Sequence, residues 1–345
     1  MRRIPLHRSF LLTLVLSMGL AQGCDTLTGD GDDGGDIDRS ERLFPVRADG
    51  EYALIDKTGR MVVSLDDYDE VKPGREGLVP ARRWDGRTYW DFFDAQGQVA
   101  FTIAADGVEA PSQDRVRFWV DGRSGFVDLE GRFIVNPYLA DARSFREDVA
   151  RVKTTSWRWG LMDRMGDVVV EPQWGSLQDF SNGRARFEDD DAYGYIDAAG
   201  TEIIPSVYDD ARSFSGGRAA VRQGQRWFYI DENDSRVMGS TTFISAGDFG
   251  DGLAPVRTEN LWEYIDESGA RQIGPQFEEA RKFVDDRAAV RVDGGWTFID
   301  RDGTQITPNT YDEVADFDGG LAAVVVDEKL GYIDRDGREV WIPRD

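Results

Sequence analysis

Residues 193–225 read YGYIDAAGTEIIPSVYDDARSFSGGRAAVRQGQ. Tyr193 to Ile196 alternates as a short strand does. Asp197 to Gly200 follows as a turn. Asp at its first position can accept backbone N–H groups, and Gly at its fourth tolerates the left-handed conformation. Glu202 to Ile204 is the returning strand, and Pro205 is expected to end its ladder. Asp209 to Phe214 is expected to connect onward through a short helical turn. Gly217 then opens a third strand, Arg218 to Arg222. Elsewhere that third strand runs into Asp-Gly, at Asp49-Gly50, Asp85-Gly86, Asp121-Gly122 and Asp293-Gly294. Asp-Gly between strands is a two-residue hairpin signal.

The same turn recurs at Asp56, Asp94, Asp128, Asp163, Asp197, Asp231, Asp266, Asp300 and Asp334, at intervals of 34 to 38 residues. A fixed period of this size marks a repeat architecture. The residue before each anchor is apolar, as in Ile55, Met162 and Ile333, and so is the one before that, as in Leu54, Tyr195 and Phe298. Phe145, Phe180, Phe214, Phe249, Phe283 and Phe317 recur seventeen or eighteen residues after an anchor. Such columns read as core ladders, each ring buried against the next repeat. A sugar-stacking stripe is the alternative reading of the same aromatics. The expected fold is all-β: about nine three-stranded meanders over residues 42–345. The chain begins at a third strand (Leu43 to Val46) and ends at a hairpin (Leu330 to Ile342). The cut thus falls between units and favours an open, solenoid-like stack, with a closed β-propeller as the alternative.

Four residues before the anchor stand Tyr52, Trp90, Ser124, Trp159, Tyr193, Trp227, Trp262, Trp296 and Leu330. The pairs Trp159-Gly160 and Tyr193-Gly194, the I-D-x-x-G turn, and the D-F-x-x-G-L-A-x-V segments from Asp248 and Asp316 together resemble the WG-repeat family. The resemblance covers residues 42–345 and implies a β-rich array used for binding, with no shared catalytic chemistry. The pattern departs from the family at Asp234, which replaces a turn glycine. It departs again in the Asp94–Asp128 unit, where Pro111 stands for the expected Phe.

Residues 1–23 carry Arg2, Arg3 and Arg8, then an apolar run from Ser9 to Leu20, the layout of a secretory signal too short to span a bilayer. The stretch ending at Cys24, the chain's single cysteine, resembles a bacterial lipobox, which implies lipidation of that residue. Residues 24–41 are Gly- and Asp-rich and read as a flexible acidic tether. Asp30, Asp32, Gly35, Asp36, Ile37, Asp38 and Glu41 match part of a calcium loop, but no helix-forming sequence flanks them, so a solvated linker is the expectation.

The chain has 41 basic and 65 acidic residues. Residues 1–23 hold three of the bases and no acid, so the part from Cys24 onward carries 38 bases against 65 acids, net −27. That charge disfavours nucleic acid and anionic lipid and favours cationic partners or plain solubility. The only histidine is His7, so the repeats can build neither a Ser-His-Asp nor a Cys-His site, and no metal ligand set or cofactor is expected. A carboxylate pair of the glycosidase type is the remaining catalytic option. The expected function is non-catalytic: a monomeric, lipid-anchored, extracytoplasmic scaffold in the bacterial cell envelope that binds an unknown protein or an envelope glycan. A carbohydrate-binding module is the alternative. Its candidate ligand residues are Trp84, Trp119, Trp157 and Trp174, which stand outside the shared tryptophan column.

Overall fold

The computed structural model describes residues 42–342 except 49, 156 and 309. The signal, Cys24 and the tether with its calcium-loop match lie outside the described residues. Every regular element within them is a β-strand, which agrees with the all-β reading. The strands form nine antiparallel sheets in chain order. Sheet 1 spans Phe44–Leu65, sheet 2 Glu70–Ala104, sheet 3 Gly107–Leu139, sheet 4 Asp141–Trp174 and sheet 5 Ser176–Tyr208. Sheets 6 to 9 span Asp210–Asp231, Ser245–Phe277, Glu279–Ile299 and Glu313–Trp341.

A meander of three strands is too short a description of the unit. Sheets 2 to 9 each open with an additional first strand, in most of them only two residues long, such as Asp210–Ala211 paired with Arg222 and Val221. That pair replaces the helical turn expected after Asp209. The step from second to third strand uses the expected Asp-Gly turns at Asp121-Gly122 and Asp293-Gly294, with both residues of each at positive φ.

Each anchor aspartate closes its own turn. At eight of the nine turns the carboxylate accepts the N–H groups two and four residues on, at 2.8–3.1 Å. At the ninth, Asp334 accepts the Arg338 N–H at 2.9 Å. At four turns the glycine then lies against the last strand of the sheet before. A Cβ at Gly97 would lie 3.0 Å from Val62, at Gly131 2.7 Å from Phe101, at Gly200 2.8 Å from Val170 and at Gly303 2.8 Å from Ile273. Asp234 adopts the same left-handed conformation, with φ 61°. Its carboxylate accepts the Tyr208 hydroxyl at 2.5 Å, a polar version of the same contact with the preceding sheet.

The glycine three residues before the anchor has a different cause. The fourth strand does not stop at its proline. In sheet 5 it runs Glu202–Tyr208 and pairs Ile204 with Tyr195 and Tyr208 with Tyr193, leaving Pro205 in a bulge between them. A missing N–H costs nothing there. The bulge pushes a carbonyl towards the third strand, so a Cβ at Gly194 would lie 2.5 Å from Ile204 O, and one at Gly160 would lie 2.4 Å from Val170 O.

The chain divides into two compact units. Unit 2 holds sheets 4 to 8, and each neighbouring pair shares an apolar layer. Leu161 with Phe187, Tyr195 with Phe214, Tyr229 with Phe249, and Tyr264 with Phe283 mark the four layers. The residues one and two positions before every anchor are buried, as are all six ladder phenylalanines.

Unit 1 holds sheets 1, 2 and 3 together with most of sheet 9. Sheet 1 packs on sheet 2 and sheet 2 on sheet 3. Sheet 1 also packs on sheet 9, through Phe44, Val46 and Ile55 against Leu321, Ala323 and Tyr332. The Tyr332 hydroxyl donates to Pro45 O at 2.9 Å. Arg42 donates to both oxygens of Asp318 and to Gly74 O. Burial alone would raise the Asp318 pKa, but the Arg42 bond and charge, with the Arg75 charge, hold it below the ordinary value. The two ends of the array therefore meet. This corrects the expected open stack, whose ends would stay apart, in favour of the alternative, the β-propeller. The position of the cut was a poor guide because no strand is shared across the join. Each sheet brings its own strands, and side chains seal them together.

Two outcomes test these contacts. Gly194→Ala should cost about 1–3 kcal/mol, because the bulge carbonyl cannot withdraw freely. Gly274→Ala, where nothing lies within 4 Å, should stay within about 0.5 kcal/mol; denaturant midpoints measure both. Asp197→Ala should cost about 0.5–1.5 kcal/mol through its turn bonds. Asp56 supplies the pH dependence. The Thr58 hydroxyl, above all, lowers its pKa from 3.8 to about 2. A lowered carboxylate pKa stabilises above the unfolded value and loses that stabilisation as pH falls through the folded one. Melting temperature should thus fall between pH 4 and 2, and less steeply in Thr58→Ala.

Candidate binding surfaces

Many carboxylates besides the anchors are also spent on backbone. The residue just before a first strand caps the turn joining second and third strands. Asp106 accepts the Asp121 N–H at 2.7 Å, Asp209 the Gly224 N–H at 2.5 Å, Glu278 the Gly294 N–H at 3.1 Å and Asp312 the Asp327 N–H at 3.0 Å. A further set links neighbouring sheets: Glu76 to Gln113 and Asp114, Glu147 to Gly183, and Asp251 to Asp286. The signal for the first set was present in the sequence as a carboxylate fifteen or sixteen residues before each such turn. It was hidden among so many acids.

The shared tryptophan column is faced by cations. Trp90 carries Lys72 and Arg82 over its ring, and Trp159 carries Arg143, Arg151 and Lys153 at 4.4–5.2 Å. Trp227 pairs with Arg212, Trp262 with Arg257 and Trp296 with Arg281. These rings are committed to stacking within the scaffold.

The four candidate tryptophans separate into two pairs. Trp119 is half-buried. It lies over Gly107, where a Cβ would come within 2.0 Å of the ring, and Arg117 covers it at 4.9 Å. It stands opposite Ser124, which lacks the column's ring, so Trp119 fills the missing column position from the neighbouring strand. Trp174 is half-buried against the layer containing Trp159 and Leu161. Trp84 is 71% exposed and Trp157 90% exposed. Each stands at the hairpin joining second and third strands of its own sheet, 2 and 4 respectively. Trp84 is accompanied by Tyr89, whose ring lies between Arg83 and Arg87 at 4.9 and 4.8 Å.

At three of the five positions where the bulge-facing glycine is replaced, the substitute is polar: Asp91, Glu263 and Thr297. Asp91 accepts from Arg83 Nε at 2.6 Å, the Tyr68 hydroxyl at 2.7 Å and the Thr102 hydroxyl at 2.5 Å. Burial opposes its ionisation, but these three donors outweigh that and lower its pKa. Glu263 is buried, accepts the Thr258 hydroxyl at 2.9 Å and pairs with Arg271. Thr297 bonds Thr307. Asp91 and Glu263 are carboxylates held by fixed donors within their own sheets.

In unit 2 the residues leading into the ladder phenylalanines alternate in charge from sheet to sheet, a pattern not read from the sequence. Within unit 2, Arg143, Arg212 and Arg281 follow the first strands of sheets 4, 6 and 8, spaced 69 residues apart, while Asp179 and Asp248 precede the ladder phenylalanines of sheets 5 and 7. The array thus carries a two-sheet period above its one-sheet period. Arg151 Nε donates to Asp179 at 2.7 Å, and Arg212 Nε donates to Ala246 O at 2.6 Å, so these residues stitch sheet to sheet.

No curated protein sequence matches the chain. Among solved structures it is similar to one described as the eukaryotic initiation factor, with TM-score 0.55 and 9% identity over 80% of this chain and 87% of that one. It is also similar to BamB from Moraxella catarrhalis, with TM-score 0.41 and 10% identity over 76% of this chain and 94% of that one. The first likeness is one of fold alone. In sequence, residues 125–155, 159–191, 193–227, 264–296 and 296–329 each match the WG containing repeat. Five matched repeats between residues 125 and 329, in register with the turns and bulges that give the repeat its glycines, make this chain a member of the WG-repeat family.

Proposed function

We propose that the chain is a non-catalytic binding scaffold, anchored by lipid at Cys24 on the extracytoplasmic side of a bacterial envelope membrane and presenting its hairpins to a protein partner. One observation carries the binding role. The residues common to the repeats are consumed by turns, ladders and stacks, and what varies and stays exposed stands on hairpins. The Trp84 hairpin combines an exposed indole with Arg83, Arg87 and Tyr89, residue types that dominate protein interfaces. The exposed rings of Trp84 and Trp157 also support a second reading, a carbohydrate or cell-wall ligand stacked on indole. The anchor rests on the basic start, the apolar run and the lone cysteine of the sequence.

Two experiments address this function. A fatty-acid label should mark the protein expressed in a bacterial host and be lost in Cys24→Ala; equal labelling of both removes the anchor. A pull-down from envelope extract should recover a protein that Trp84→Ala releases, at least tenfold weaker if the indole is a central contact, about 1.4 kcal/mol or more. Elution by free sugar, with Trp157→Ala also defective, selects the glycan reading instead. Wild-type recovery by both variants rejects the hairpins as the binding surface.

A further inference from the structure

Asn182-Gly183 is the only Asn-Gly pair in the sequence. It forms the two-residue turn between the first and second strands of sheet 5, at the end of the sheet away from the hairpins, with φ of 52° and 74°. It belongs to a row of such turns that link sheet to sheet through their first residue. In sheets 2, 4 and 7 that residue is an acid, Glu76, Glu147 or Asp251, and it accepts a backbone N–H of the next sheet. In sheet 5 an amide holds the same place: Asn182 Oδ1 accepts the Gly217 N–H at 3.1 Å.

Neighbouring sheets thereby hold both partners of a ring closure between Asn182 and Gly183. The Gly183 N–H donates to Glu147 Oε2 of sheet 4 at 2.7 Å. A carboxylate on that N–H is placed to take its proton and leave the nitrogen nucleophilic. The Gly217 N–H of sheet 6 polarises the Asn182 side-chain carbonyl and faces the oxyanion that attack on its carbon creates. Asn182, Gly183 and Glu147 are all exposed, and nothing lies within 4 Å of where a Gly183 Cβ would stand. The turn has room to close, and water reaches it.

We propose that Asn182-Gly183 is a self-modifying site, at which Glu147 promotes loss of the Asn182 amide as ammonia. The Gly183 nitrogen bonds to the Asn182 side-chain carbonyl carbon and gives its proton to Glu147. The bond from that carbon to the amide nitrogen breaks, and ammonia leaves with the proton. Water then opens the five-membered ring at either of its two carbonyls. One water is consumed and one ammonia released, with no oxidant or cofactor.

Opening at the side-chain carbonyl restores the backbone and leaves a carboxylate at position 182. Sheet 7 shows that such a turn fits the array. Asp251-Gly252 has the same left-handed pair, with φ of 46° and 79°, and its carboxylate accepts the Asp286 N–H of sheet 8 at 2.7 Å. Opening at the main-chain carbonyl instead routes the backbone through the side chain. That adds a methylene to a two-residue turn and breaks the link to sheet 6. One product keeps the scaffold and adds a negative charge; the other loosens sheet 5 from sheet 6. The site is independent of the hairpins on which the binding role rests.

The test is incubation of the purified full chain at neutral pH and physiological temperature. Peptide mapping by mass spectrometry should show conversion at residue 182, with the isoaspartyl share counted by an isoaspartyl methyltransferase. Glu147→Gln keeps an acceptor for the Gly183 N–H but supplies no base. It should melt as the wild type does and convert about tenfold more slowly. Asn182→Asp copies the product that keeps the turn and should melt no lower than the wild type. The proposal fails if residue 182 keeps its amide, if Glu147→Gln converts as fast as the wild type or faster, or if Asn182→Asp melts well below it.

Discussion

The structure depends on a carboxylate accepting two backbone N–H groups of its own turn. That bond pair makes Asp-x-x-Gly a rigid corner and sets the left-handed glycine face down on the sheet before. One local interaction thus does two things at different ranges. It reverses the chain, and at sheets 2, 3, 5 and 8 it brings the turn against the sheet before. The contact recurs at the join in unit 1, where a Cβ at Gly59 would lie 2.3 Å from Val340 O. Sheet 1 rests on sheet 9 by the same means that sheets 2, 3, 5 and 8 rest on their predecessors, which is why the ends can meet without sharing a strand.

The acidic character of the chain follows partly from this use of carboxylates. A surplus of acids suggested a surface that attracts basic partners. Much of it is occupied elsewhere, in anchors, in hairpin caps such as Asp106 and Asp312, and in sheet-to-sheet links such as Glu147 and Asp251. Each of these groups already accepts backbone donors. The arginines follow the same economy: many lie over tryptophan rings or reach a neighbouring sheet's carbonyl. Net charge is therefore a weak guide to the partner, and the exposed hairpin side chains are a better one.

What the sequence revealed and concealed divides along physical lines. The anchors, the apolar columns and the ladder phenylalanines were legible because each is a single residue type at a fixed spacing. The two-residue first strands were not, since a pair such as Asp210–Ala211 has no periodicity to read. Pro205 was misread as a terminus because a proline that ends a ladder and one that sits in a bulge look identical until the strand resumes at Tyr208. Closure was illegible because it rests on Arg42, Phe44 and Tyr332 meeting across nearly three hundred residues. Of the four candidate tryptophans, composition could not separate Trp84 and Trp157, which face solvent, from Trp119, which replaces the ring missing at Ser124.

A repeat array places its function in its departures from the repeat, because a residue present in every sheet already has a structural task there. Some departures are structural in turn. Asp234 and Trp119 each restore a contact that the standard residue would have made, and Asp91 is fully matched by its three donors. Others restore nothing. Lys282 takes a place filled by serine in the like position of sheets 4 and 6, at Ser144 and Ser213, and its ammonium bonds to no described residue. A lysine is retained there at the cost of partial desolvation, which a structural serine would avoid. Exposed Trp84 and Trp157 stand in the same logical position on the hairpins, large rings that stabilise no layer. The scaffold explains neither kind of residue, so binding must be sought where the repeat's own chemistry is already satisfied and these side chains are left over.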